Sequence, residues 1–188
     1  MGDKMKLLDI KPKAAYTLVK IVKTELTESG IITGTRTIAS KLQVSHYLGE
    51  VVMDGTGELE PGTGVVFNEL AGYPVITDDD TIYAKVVAKS NLIVKTTKIL
   101  DMQEDNTLPL GTRVLVKLHT EGIMKDGIID DNGINPREMA TQKGTVISVG
   151  PEATSTNVGD KVAFEPFCGS LITDELKTVH EHDLLFTF

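Results

Sequence analysis

Tryptophan is absent from the 188 residues, aromatics reach only 5%, and there is a single cysteine, Cys168. One thiol excludes an intrachain disulfide framework and any metal site built from several thiolates. No apolar run approaches the roughly 18 residues of a membrane span. The opening MGDKMKLLDIKPK carries charges without the apolar stretch of an export signal. A basic excess is also missing: 19 Lys and Arg stand against 27 Asp and Glu, a formal charge of -8 with a pI near 5.0. That balance argues against a nucleic-acid partner and against an anionic membrane surface. The expected setting is a reducing cytoplasm.

What is present suits a folded β protein. Hydrophobic residues make up 40% and charged residues 24%, enough to bury a core. Val, Ile and Thr together are roughly 29% of the chain, and their stiff χ1 favours pleated strands over helices. Seventeen glycines and seven prolines are scattered rather than pooled, as punctuation between short strands. No window keeps a 3.6-residue apolar rhythm for three turns. The expected class is all-β.

The chain also repeats itself. Pro12 and Pro109, each preceding an apolar strand, lie 97 residues apart, as do Lys20 and Lys117 within those strands. Gly30-Ile31-Ile32 and Gly127-Ile128-Ile129 keep the same offset. Gly49-Glu-Val-Val matches Gly144-Thr-Val-Ile at 95, and Gly62 and Val65 match Gly159 and Val162 again at 97. Each copy closes on an apolar strand, Asn91–Val94 or Asp183–Phe186. The spacing predicts two copies of one β-rich unit, 9–97 and 107–188, joined by a polar linker at 98–106. Four or five short strands per copy suit a small barrel. The strongly apolar first and last strands are expected at exposed edges, which argues for oligomerisation.

One segment in each copy fits neither strand nor tight turn: 24–46 and 120–143. Structureless loops above roughly 15 residues are uncommon in compact domains and are usually functional or disordered. Two branched apolar residues at a solvated tip cost stability unless something receives them. The tripeptide could tuck onto its own barrel, but its recurrence within otherwise divergent loops points to a docking element.

At these residues the chain resembles the GroES-type co-chaperonins, twice over. Pro109-Leu-Gly-Thr-Arg113-Val-Leu-Val-Lys117 is similar to the family's opening strand, and Gly144-Thr-Val-Ile-Ser-Val-Gly150 to its next glycine-bounded segment. Val158-Gly159-Asp160-Lys161-Val162 and Asp183-Leu184-Leu185 resemble its later turn and its closing strand. Copy one carries the same landmarks more loosely, including Phe67-Asn68 before Gly72-Tyr73.

The resemblance implies two tandem GroES-like β-barrels, each with a long mobile loop, in a protein that caps the folding chamber of an ATP-driven chaperonin. The expected partners are GroEL-type apical domains, sister chains in a homo-oligomeric ring, and unfolded clients inside the chamber. Carried over by position, the chaperonin-binding residues are Gly30, Ile31, Ile32 and Thr33 in copy one, and Gly127, Ile128, Ile129 and Asp130 in copy two. The family's third tip position is usually apolar, so Thr33 and Asp130 each forgo an anchor of about 1.5–3 kcal/mol. Copy two is expected to bind more weakly or with a different specificity. Docking of each loop is expected to be weak and reversible, with affinity restored by many loops acting together. The short stretches 54–61 and 151–157 stand where single-domain relatives carry an extra hairpin, which implies a poorly covered apex. Tandem chains supply loops in pairs, and pairs do not divide a seven-fold partner. The resemblance places the protein in a bacterial or virus-infected host cytoplasm, or in a plastid stroma.

No catalytic residue, cofactor or metal is expected. Asp78-Asp79-Asp80 and Asp130-Asp131 lack spaced partners for metal or acid–base work and read as turn aspartates. His180 and His182 lack a third ligand. The glycines between Gly55 and Gly64 are followed by no Gly-Lys-[Ser/Thr], so nucleotide hydrolysis is not expected. Cys168 lacks a base and reads as a small packed residue. The alcohol dehydrogenases that share the barrel need a Rossmann half and cysteine ligands that this chain does not have. The alternative to a co-chaperonin is a ring-forming scaffold without a chaperonin partner.

Overall fold

The computed structural model describes residues 6–22, 46–68, 70–75, 84–119, 142–165, 168–173 and 175–188. These fall into two compact units that divide between Thr107 and Leu108. The β-branched runs form strands β1 (Tyr16–Ile21), β2 (His46–Asp54), β3 (Gly64–Asn68), β4 (Tyr73–Val75), β5 (Ala84–Ala88), β6 (Leu92–Thr96) and β7 (Thr107–Pro109). Further on lie β8 (Arg113–Leu118), β9 (Gln142–Val149), β10 (Lys161–Phe164), β11 (Ser170–Leu171), β12 (Leu176–His180) and β13 (Leu184–Thr187). The protein is all-β: short 3-10 turns occur at Leu7–Asp9, Lys89–Asn91 and Glu181–Asp183, and the described residues hold no α-helix.

The strands make two sheets, ordered β4-β5-β1-β2-β3-β6-β7 and β11-β12-β8-β9-β10-β13. Apart from β7 the two orders are the same, strand for strand. The irregularities coincide as well. Register slips between Leu18 and Val19 in β1 and between Leu115 and Val116 in β8. It slips again between Val66 and Phe67 in β3 and between Ala163 and Phe164 in β10. A bulge breaks the two-residue alternation of a strand, and all four residues flanking the first pair of slips are completely buried. Thus Leu18-Val19 and Leu115-Val116 can be apolar in succession without exposing either.

Each sheet packs its own core. Leu18, Val65, Phe67, Val87, Leu92 and Val94 are buried in the first unit. Val114, Val116, Val146, Val162, Phe164 and Val179 form one buried cluster in the second. The expectation that the first strand of each copy lies at an edge is overturned. β1 lies between β2 and β5, and β8 between β9 and β12, because the strands that follow later in the chain return to pair on both sides. Among the last strands, β13 ends its sheet, whereas β6 is followed by β7.

The polar stretch 98–106 folds around one side chain. Asn106 accepts from the Gln103 amide at 2.9 Å and donates to the Asp101 carbonyl at 2.8 Å. The Thr97 N–H reaches the Asn106 carbonyl at 3.4 Å.

Opposite the β1–β2 connection, each unit ties the turn after β2 or β9 to the 3-10 turn that precedes its last strand. In the first unit the fully buried carboxylate of Asp54 accepts from the Thr17 hydroxyl at 2.8 Å, the Thr56 hydroxyl at 2.9 Å and the Glu58 amide at 2.9 Å. Lys89 pairs with it at 3.0 Å and with Glu58 at 2.9 Å. In the second unit Glu181 occupies the place of Lys89, and its carboxylate accepts from the Thr154 amide at 3.0 Å and from the Ser155 amide. The charge is reversed and the tie is kept.

Candidate functional site

Strands β1 and β2 are neighbours, and the chain between them, 23–45, leaves and returns at the same end of the pair. The Val22 N–H donates to the Leu48 carbonyl at 3.0 Å. Strands β8 and β9 stand in the same relation around 120–141. There the His119 N–H donates to the Lys143 carbonyl at 2.9 Å, and the Leu118 N–H to the Glu175 carbonyl at 2.8 Å. His119 Nε2 lies 2.8 Å from the Thr145 hydroxyl, a further link across this base. Both expected docking segments therefore spring from equivalent strand pairs. The residues themselves (Gly30, Ile31, Ile32, Thr33, Gly127, Ile128, Ile129 and Asp130) lie outside the described residues.

The first residues after each segment pack against a buried lysine that sequence reasoning missed. Lys85 Nζ lies 5.0 Å from the Tyr47 ring and donates to the Ala71 carbonyl at 3.0 Å. Its counterpart Lys177 lies 5.4 Å from the Phe164 ring and donates to Gln142 Oε1 at 2.9 Å. Lys177 is 1% exposed and Lys85 6%, and burial pulls the Lys177 ammonium below the usual lysine range. The two lysines are 92 residues apart, a spacing that could have exposed the match. A lysine inside a short apolar run instead reads as a solvated face, which hides β5 and β12 in the sequence.

The remaining candidates resolve into structural roles. The rings of His180 and His182 stack with centroids 5.1 Å apart, and Thr112 Oγ1 lies 3.0 Å from His180 Nδ1. Burial, then the nearby Arg113 and His182, hold His180 below the usual histidine range, which favours the neutral ring. Among the described residues no three His, Cys, Asp or Glu side chains come together to hold a metal. Asp78, Asp79, Asp80 and Asp131 lie outside the described residues. Cys168 packs against the second core and its thiol donates to the Glu165 carbonyl at 3.0 Å. Burial pushes the thiol up, away from a reactive thiolate. No helix among the described residues is long and apolar enough to cross a membrane.

Residues 106–188, which include every strand of the second sheet, match the family of the chaperonin 10 kDa subunit. The co-chaperonin GroES of Thermodesulfovibrio yellowstonii is 39% identical over 67 residues, a match that covers 34% of this chain and 72% of that protein. The chain belongs to the chaperonin 10 family. Within that family, the equal strand orders make the first sheet the structural counterpart of the matched second one.

Proposed function

We propose that this chain is a double-domain co-chaperonin, with chaperonin 10-like units at 9–97 and 107–188 joined by 98–106. It caps the chamber of an ATP-driven, GroEL-type chaperonin in the cytoplasm and so assists the folding of enclosed clients. Ile31-Ile32 and Ile128-Ile129, with the hinge glycines Gly30 and Gly127 before them, dock onto the chaperonin's apical domains. Thr33 and Asp130 fill the third position of each tip. The observation that carries this reading is positional. In both sheets the long connection carrying Gly-Ile-Ile joins the same two paired strands, in a chain that belongs to the chaperonin 10 family.

The mechanism is binding without bond chemistry. Each tip offers two branched apolar side chains, and burying such a side chain is worth about 1.5–3 kcal/mol. One tip alone therefore binds weakly. Linking tips on one assembly raises the effective concentration of each for its groove, so the cap holds as a whole and releases as the chaperonin cycles.

The test is co-sedimentation with a GroEL-type chaperonin in ADP or ATP. The wild type should associate, and Ile31→Ser combined with Ile128→Ser should abolish association while leaving the protein's own assembly intact. Unchanged association in the double variant would overturn the tip assignment.

A further inference from the structure

The two sheets bury a lysine at the same place. Lys85 is the second residue of β5 and stands opposite Val19, and Lys177 is the second residue of β12 and stands opposite Val116. Both valines follow the register slip of their strand and are completely buried. An ammonium buried this far carries a cost that an apolar side chain of similar volume avoids. What the two ammonium groups reach is therefore what sets them apart from a methionine at the same position.

In each unit the ammonium reaches the strand on which the long connection returns. Tyr47, the second residue of β2, pairs across the sheet with Phe67, their ring centroids 6.0 Å apart. Lys85 Nζ lies 5.0 Å from that tyrosine ring. Gln142, the first residue of β9, pairs with Phe164. Lys177 Nζ lies 2.9 Å from Gln142 Oε1 and 5.4 Å from the Phe164 ring. Gly49 and Gly144 follow two residues later in their strands, so Tyr47 and Gln142 are counterparts. The same three positions thus meet twice: a buried lysine, a buried phenylalanine and a half-buried residue where the returning chain enters the sheet. The contact chemistry differs, a ring face in one unit and an amide oxygen in the other.

We propose that Lys85 and Lys177 are positioning residues for the two docking connections, each fixing the foot, Tyr47 or Gln142, on which its connection ends. Their role in docking rests on the function proposed above, and the contacts themselves do not. Docking costs less when the foot is already fixed, because fewer residues remain to be ordered on binding. Releasing a foot should therefore weaken its own tip about five- to thirtyfold for each residue freed.

The test uses the full chain in an Ile31→Ser background, where chaperonin association reports the second tip. Lys177→Met fills the same space without the charge, and Gln142→Leu removes the acceptor from the other side. Each should speed amide exchange at 142–145 with no chaperonin present, while resistance of the chain to denaturant is not lowered. Each should weaken association with a GroEL-type chaperonin in ADP by about five- to thirtyfold. The two together should weaken it no further, as expected when both break one contact. Gln142→Glu, which keeps an acceptor for the ammonium, should retain the slow exchange. Unchanged exchange at 142–145 in both Lys177→Met and Gln142→Leu would overturn the proposal. So would faster exchange with unaltered association, or losses that simply add in the combined variant. Faster exchange in both variants of a chain whose wild type never associates with a chaperonin would instead overturn the docking function and leave the foot contacts standing.

Discussion

Gly49 and Gly144 show how much a single absent side chain decides. A Cβ at Gly49 would fall on Val19 Cγ1 and stand 3.1 Å from the Phe67 ring. A Cβ at Gly144 would fall on Val116 Cγ1 and stand 2.6 Å from the Lys117 carbonyl oxygen. Both valines are completely buried, and their branched Cβ leaves little rotamer freedom to move aside. Gly144→Ala should therefore cost about 1–3 kcal/mol, read from denaturant unfolding of the full chain. Gly49→Ala should cost less, because its nearest backbone oxygen, that of Lys20, is 3.2 Å away. Equal stability of wild type and Gly144→Ala would show that β8 can shift to make room. The pair of glycines was visible in the sequence as a repeat. The reason for it was not, since the valine that each one admits is fixed by cross-strand register.

Among the elements, the turn after β2 gathers around one buried carboxylate, that of Asp54. Burial opposes ionisation of Asp54, but hydrogen bonds from Thr17, Lys89, Thr56 and the Leu59 amide outweigh it and hold the carboxyl at about 2, against an ordinary 3.8. A carboxyl depressed in the folded state contributes stability that is complete above the unfolded value and is lost as pH falls through the folded one. The contribution, about 2 kcal/mol, should thus disappear between pH 3.8 and about 2. Asp54→Asn should lower stability at neutral pH by a similar amount and flatten the acid limb of its pH dependence over that window. Melting temperature measured across the window checks both. The second unit achieves the same tie with Glu181, whose carboxyl the Thr154 and Ser155 amides likewise hold at about 2. The legibility of elements followed from the same chemistry. β1, β3, β8 and β10 announce themselves as runs of Val, Leu and Phe between turn residues. β5 and β12 hide behind Lys85 and Lys177, whose charges are buried rather than solvated, and β4 and β11 are only three and two residues long. The reversal of charge between Lys89 and Glu181 concealed an equivalent contact, because a salt bridge and a carboxylate cap share geometry but no residue type.

At the scale of the whole molecule, two units of like topology need not contribute alike. Their connections arise from matching strand pairs, but the tips differ at the third position, Thr33 in one and Asp130 in the other. A groove that receives branched apolar side chains excludes water, and bringing a carboxylate to its rim costs more than bringing a hydroxyl. The first tip should therefore carry the larger share of chaperonin affinity. Ile31→Ser alone should weaken association more than Ile128→Ser alone, and Asp130→Leu should narrow the gap by strengthening the second tip. Titration of each variant against a GroEL-type chaperonin in ADP, at one fixed salt concentration, separates these outcomes. Equal losses from the two serine variants would mean that the third position lies outside the groove. A larger loss from Ile128→Ser would mean that the second tip meets a positively charged rim, and that Asp130 is an attraction rather than a missing anchor. Because the chain tethers one tip of each kind to the other, the weaker tip still raises the effective concentration of the stronger. Ile128→Ser alone should weaken association by more than about twofold only if both tips engage one chaperonin ring at once, because losing the weaker of two alternative contacts costs at most that factor.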